Sequence, residues 1–584
     1  MTGFRARPVS RGLASAALVV IALSGMAVVG AVMSNRASAE AEPTPLHRPI
    51  PGATPDRPPP AGFTFEPLKA PDVGGVGILD DRHGGLGADL WKGTPRALVT
   101  KLLPALPVRS PSPVLHQLMR RLLLTAAIPP ADSDGTKEIL HRRIERLWAL
   151  GEVADMLRLI ESLPAEAVDA SLWRYRLNGL LLQGGETGVC AQLPAARKDD
   201  ADGYFSELSA FCAALAGRTA EAAGTAAWLR DHGLGDDAFF AGLEAMIGTR
   251  AGLTSLAHPR PLHLAMARAA KLPLPADAAS GTQPAILQAV ATDPSTPLEV
   301  RLIAAEKAER MGVLDPAILR HVYSTVTFSE GEAERPVDDA ASPSGWRSRA
   351  LLFRVAETQE SAPAQAELIS KALRLAQQRG QFGAAARLYA PLIAAMSPTP
   401  ALSGFAGTAI RALLAAGHKG AIAPWLPLCP PASSQAGINL VWPLLRLMDA
   451  HEDDPPPPGQ LLAWLSQRAP QEPELARQQA ALLFGLLDAL GDKVRTEDWL
   501  ALMDGPMTTA TTMPPPALWH AQRIAAEQLR SGETILLALV SLGMGFPNEI
   551  DPTVVYRVVA SLRLVGFDEE ARAIAVEAAL AHGV

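Results

Sequence analysis

The chain has 584 residues and a formal charge of −7, with 48% hydrophobic and 19% charged side chains. That length exceeds one ordinary core and implies several domains or a repeat array, while the apolar content excludes a wholly disordered chain. The small, unclustered charge excludes the basic footprint that a nucleic-acid backbone requires, so nucleic acid is not an expected partner.

Arg5, Arg7 and Arg11 precede an apolar run from Leu13 to Met33, and Ala37-Ser38-Ala39 follows. A cationic start, an apolar middle and small residues before Glu40 fit a cleaved secretory leader. The run is also about the ~20 residues that span a bilayer, which leaves an uncleaved inner-membrane anchor open. Both place residues 1–39 in export and the body in the periplasm, free or tethered. Residues 40–72 are too rich in proline for helix or sheet and are expected as a disordered, semi-extended linker.

The glycine-rich stretch from Val73 carries no phosphate-loop pattern, and Gly74, Gly75 and Gly77 lack the spacing of a dinucleotide fingerprint. His83-Gly84-Gly85 has no GxSxG nucleophile elbow to serve. Asp89-Leu90-Trp91 is expected to dock on the first helix, and Thr94-Pro95 to begin that helix as cap and first-turn proline.

From Thr94 onward the pattern predicts an all-α chain, since alternating β-branched stretches are scarce and alanine, leucine and arginine recur. Glycines punctuate it. Gly151, Gly184, Gly217 and Gly248 lie 33, 33 and 31 residues apart, and Gly380, Gly417, Gly491 and Gly566 follow the same grammar. Each ends an apolar run, and a few polar residues lead into the next, which predicts helix, turn, helix. Ala222, Ala385 and Ala571 lie five places after their glycines, where a small residue lets the returning helix approach.

The stretch GQFGAAARLYAPLI from Gly380, with Phe382 at the aromatic position, resembles the second half of a tetratricopeptide repeat. That resemblance implies an α-solenoid with a protein- or peptide-binding surface. The tryptophan, leucine and glycine of that repeat's first helix are not regularly present.

Residues 73–322 and 346–584 read as two helical-repeat regions joined by an exposed connection at 323–345. His258 to Gln283 reads as a proline-punctuated seam, and Pro455 to Pro458 and Met507 to Pro516 as exposed connections. Cys190 and Cys212 are equidistant from a loop near residue 201, so antiparallel helices would set them opposite each other as a disulfide. Cys429 is left over, and no CxxC or Cys/His zinc spacing occurs.

No catalytic, cofactor or metal residues are assigned. His451-Glu452-Asp453-Asp454 lacks the second histidine of a metalloprotease helix and reads as a solvated helix end. His258 and His263 read as packing at the seam, and Asp236-Asp237 and Glu569-Glu570 as negative charge at helix starts. The expected function is a non-enzymatic scaffold or adaptor of the bacterial cell envelope that binds protein or peptide. The alternative is a cell-wall enzyme or accessory, because superhelical α-domains also occur in exported lytic transglycosylases. Those carry a lysozyme-like module after the superhelix, whereas here the last residues still read as repeat.

Overall fold

The starts of the helices follow from short polar residues and prolines. Ser112 accepts a hydrogen bond from the Leu115 N–H at 3.1 Å, and Pro113 fills the first helical position behind it. Asp169, Asp236, Asp315 and Asp551 cap later helices in the same way.

A computed structural model describes residues 72–130, 132, 137–196, 202–249, 252–328, 345–429, 441–448, 459–470, 472–503, 515–543 and 550–584. The expected leader or anchor, nearly all of the proline-rich linker and most of the 323–345 connection lie outside them. So do His451 to Asp454, Pro455 to Pro458 and most of the Met507 to Pro516 stretch.

The chain runs through α1 (Arg96–Leu102), α2 (Pro113–Leu124), α3 (Glu138–Leu150), α4 (Val153–Glu161), α5 (Ala170–Leu182) and α6 (Glu186–Ala196). Next come α7 (Tyr204–Leu215), α8 (Thr219–Asp231), α9 (Asp237–Met246), α10 (Pro261–Ala269), α11 (Pro284–Thr292), α12 (Leu298–Arg310) and α13 (Pro316–Ser324). Then follow α14 (Trp346–Thr358), α15 (Ala362–Gln378), α16 (Phe382–Ala395), α17 (Ser403–Ala415), α18 (Trp442–Met448) and α19 (Gln460–Arg468). The last are α20 (Pro473–Ala489), α21 (Thr496–Met503), α22 (Pro516–Glu527), α23 (Ser531–Leu542), α24 (Pro552–Leu564) and α25 (Asp568–Ala581). Among the described residues no helix is long and apolar enough to cross a membrane.

All eight turn glycines have positive φ, from 66° at Gly380 to 97° at Gly491. In every one of these turns the N–H after the glycine reaches back five residues, as from Glu152 to the Leu147 carbonyl and from Arg218 to that of Ala213. This is the Schellman ending, which satisfies a carbonyl the helix leaves orphaned. At Gly151, Gly184, Gly217, Gly380, Gly491 and Gly566 a returning α-helix follows within a few residues.

Gly248 and Gly417 depart from that expectation. After Gly417 the chain makes two short 3-10 turns, Lys419–Ala421 and Ala423–Leu428, because Pro424 and Pro427 cannot continue an α-helix. After Gly248 the next α-helix waits until Pro261. The expected seam from His258 therefore contains α10, whose first residue is one of the very prolines that suggested a break. Ala222 and Ala571 are fully buried at the helix approach, whereas in the α15–α16 hairpin that place is taken by Ala386, one residue beyond Ala385.

Neighbours in sequence pack pairwise, α7 on α8, α11 on α12, α16 on α17 and α24 on α25. An ideal one-dimensional stack would have only such contacts. Here α1 and α2 also pack against α23, α2 packs against α25, and α25 is backed by α17 and α18. The described residues from Asp72 to Val584 thereby form one compact unit whose first helices meet its last.

The start of the chain is pinned to that meeting place. The Asp89-Leu90-Trp91 turn is bound at the far end of the sequence, with the Gly532 N–H donating to the Leu90 carbonyl at 2.9 Å. Thr94 is not the cap of α1: it is buried with its hydroxyl unpartnered, and Pro95 holds the cap position without a side-chain bond. Asp132 supplies the cap from a distant loop, accepting the Arg96 N–H at 2.9 Å.

Candidate functional site: a cavity where the first and last helices meet

Between α2, the α15–α16 turn, the end of α17 and α25 lies a cavity of about 520 Å³. That is within the ~300–1,000 Å³ range of small-molecule sites. Each wall follows from a local feature already described. Pro113 and the Ser112 cap fix where α2 begins, and Gly380 turns the chain so that Gln381 and Phe382 open α16 at the cavity edge. Gly417 ends α17 on the opposite rim. Apolar surface comes from Val114, Leu118, Phe382, Leu414, Val576 and Leu580.

Across the junction the Ser112 hydroxyl donates to the Glu577 carboxylate, and Arg121 pairs with Glu570. Ser112 thus does two tasks: its oxygen accepts from the Leu115 N–H and its proton goes to α25. Glu577 remains partly accessible from the cavity, yet the protein packed around it penalises its charge. Burial pushes its pKa up to about 7 against the opposing pull of Ser112 and Arg387. Arg387 is itself held at 2.8 Å by Glu309, which is buried.

Arg310 and Lys419 also line the cavity, and neither forms an ion pair with a described residue. The lining is electropositive by composition, with Arg121, Arg310, Arg387, Lys419 and Arg572 against the carboxyls of Glu569, Glu570 and Glu577. A carboxyl titrating near neutrality beside apolar walls and cations can bind a polar head group or exchange a proton with a ligand.

Of the eight turn glycines, only Gly380 and Gly417 line this cavity. Cys190 and Cys212 lie elsewhere, joined by a disulfide with their Cα atoms 5.5 Å apart, and tie α6 to α7. Cys429 is a buried free thiol. Among the described residues no group of three or more His, Cys, Asp or Glu side chains is arranged to hold a metal ion.

Of the other titratable residues singled out in the sequence, His83, Asp236, His263 and Glu570 have structural partners. His263 is buried, accepts the Arg260 N–H at its Nδ1, and sets its Nε2 3.0 Å from Asp236. Arg260 bridges Glu207 and Asp236 at 2.9 Å each. Burial opposes the charge of Asp236, but His263, the Phe239 N–H and Arg260 overcome it and hold the carboxyl at about 2. His258 is exposed. His83 contacts Asp80 at 2.6 Å in an exposed turn. Glu570 does sit in the first turn of its helix, but its partner is Arg121 of α2.

Sequence reasoning missed Arg143. Fully buried in α3, its guanidinium donates to the carbonyls of Leu123 at 2.7 Å, Gly74 at 2.9 Å, Val76 at 2.6 Å and Thr125 at 3.2 Å. The glycine-rich stretch is therefore a clasped strap. A Cβ on Gly77 would stand 2.3 Å from the Ala126 nitrogen, so only glycine allows that approach. Desolvation lowers the Arg143 pKa to about 10, which leaves it charged at neutral pH. No pattern in the sequence marks an arginine whose partners are all backbone.

Comparison of the chain with family models, with curated proteins and with solved structures finds no match.

Proposed function

We propose that the protein is a scaffold or adaptor of the bacterial cell envelope, exported and acting in the periplasm or on its inner membrane, with protein or peptide as partner. The observation that carries this reading is the helical frame joined end to end. Glycine-turned hairpins build its surface, and the Ser112–Glu577 and Arg121–Glu570 contacts hold its first helices on its last. A frame held in this way can present a fixed surface without a cofactor. The Cys190–Cys212 disulfide supports export, because such bonds persist in oxidising compartments.

A second reading, a cell-wall enzyme or accessory, is favoured by one observation. Glu577 titrates near 7 at the wall of a cavity, as a general acid would. Crosslinking with mass spectrometry in the native envelope, run beside a peptidoglycan-degradation assay, separates the two. The scaffold reading expects stoichiometric crosslinks to one envelope component and no degradation. Degradation that disappears in Glu577→Gln overturns it in favour of the enzyme.

A further inference from the structure

We propose that the cavity between α2, α16 and α25 is a binding site for a monocarboxylate bearing an apolar chain. Its head would sit among Arg310, Lys419 and the Glu577–Ser112 pair, and its chain against the apolar side chains of the lining. This site is additional to the scaffold role and does not depend on it.

Three independent features of the cavity select this chemistry. The first is a lining that combines apolar side chains, Val114, Leu414 and Val576 among them, with charged ones, which suits an amphiphile rather than a uniformly polar solute.

The second is the sign of the charge. Arg121 and Arg387 are neutralised by Glu570 and Glu309, whereas Arg310 and the exposed Lys419 have no such counter-ion among the described residues, and one carboxylate of the lining, the exposed Glu569, has no cation of its own. The α16 N-terminus adds to them: Gln381 caps it without a side-chain bond, and Gln381, Gly383 and Ala384 all line the cavity. Unsatisfied N–H groups and the positive end of the helix dipole both favour an anion there.

The third feature selects a carboxylate among anions. Glu577 has Ser112 as its hydrogen-bond partner and faces the same space. A second carboxylate placed beside it cannot remain ionised at no cost, so the two would share one proton, with Glu577 donating to the bound head. Ser112 holds the Glu577 carboxyl in place for that contact. Binding near neutral pH should therefore take up a proton, and affinity should fall as pH rises above the range in which Glu577 keeps one.

Titration calorimetry of the full chain with dodecanoate, dodecylammonium and dodecanol tests this. Expected are one dodecanoate per chain and at least about tenfold weaker binding of the amine and the alcohol. Proton uptake, read from buffers of different ionisation heat, should be present in the parent and absent in Glu577→Gln. Arg310→Gln with Lys419→Gln should weaken dodecanoate at least about tenfold, and Ala573→Trp, which fills the cavity, should abolish its binding. Circular dichroism verifies that each variant is folded. Equal binding of dodecylammonium overturns the proposal, as does dodecanoate binding that survives Ala573→Trp in a folded protein.

Discussion

The hydroxyl of Ser112 donates to the carboxylate of Glu577 across 465 positions of sequence. One residue caps the second helix and the other sits near the end of the last, so this bond records how the helical chain closes on itself. The same contact places a carboxyl of raised pKa at the edge of a cavity, which links closure to the candidate site.

Glu577 should make stability depend on pH with a definite sign. Its carboxyl holds a proton up to about 7 in the folded chain, whereas an ordinary glutamate releases it near 4.5. Between those values the folded state binds more protons than the unfolded one, so stability should fall as pH rises, with the loss complete above about 7. The effect is of the order of 1–3 kcal/mol, reduced by the access of the carboxyl to the cavity. Urea midpoints at pH 5 and pH 8 should differ less in Glu577→Gln than in the parent. Identical differences would mean that Glu577 does not titrate in this range.

Arg143→Ala should destabilise the chain by roughly 3 kcal/mol or more, because buried carbonyls at Gly74, Leu123 and Thr125 would lose their donor. Arg143→Lys should recover only part of this, since a compact ammonium cannot span the same fork. Denaturant unfolding of both variants reads the effect. The strap from Val73 to Leu79 should become protease-sensitive first.

These residues also show what the sequence could and could not convey. Turn glycines were legible because a Schellman ending is a local event: Gly151 and Gly566 announce it by one residue and its immediate neighbours. The Cys190–Cys212 proximity was legible for the same reason, since a single hairpin sets it. Closure was not. Ser112-Pro113 looks like any helix start, and Glu577 looks like a solvated residue of an alanine-rich helix, because hydrophobic periodicity carries no information about a partner more than 400 residues away. Glu570 was explained by the helix dipole, which is local, while its actual partner Arg121 is not. Thr94-Pro95 misled because a distant aspartate, Asp132, took over the cap.

The turn glycines should differ in their tolerance of substitution. At Gly217 a Cβ would meet nothing within 4 Å, so Gly217→Val should cost only the backbone strain of positive φ, roughly 1–3 kcal/mol. At Gly151 a Cβ would stand 3.1 Å from Pro284 and from Val313, which adds a packing clash between α3 and its neighbours. Gly151→Val should therefore unfold at lower denaturant than Gly217→Val. Equal midpoints would show that strain alone sets the cost.

The disulfide should be seen by counting thiols. Alkylation of the unfolded, unreduced protein should modify Cys429 alone, and reduction should expose two more thiols. Cys190→Ala with Cys212→Ala should lose about 3 kcal/mol in the chain-entropy model of loop closure. Modification of all three cysteines without reductant would contradict the bond.

Closure itself is tested most directly by a distance between spin labels at Gln117 and Glu569, in a Cys429→Ala background. Both residues are exposed, and they line the cavity from α2 and α25. Double electron–electron resonance should give one narrow population at short distance, because the two helices pack against each other. A long or broad distribution, as an open stack of hairpins would produce, would contradict the closed frame and remove the cavity with it.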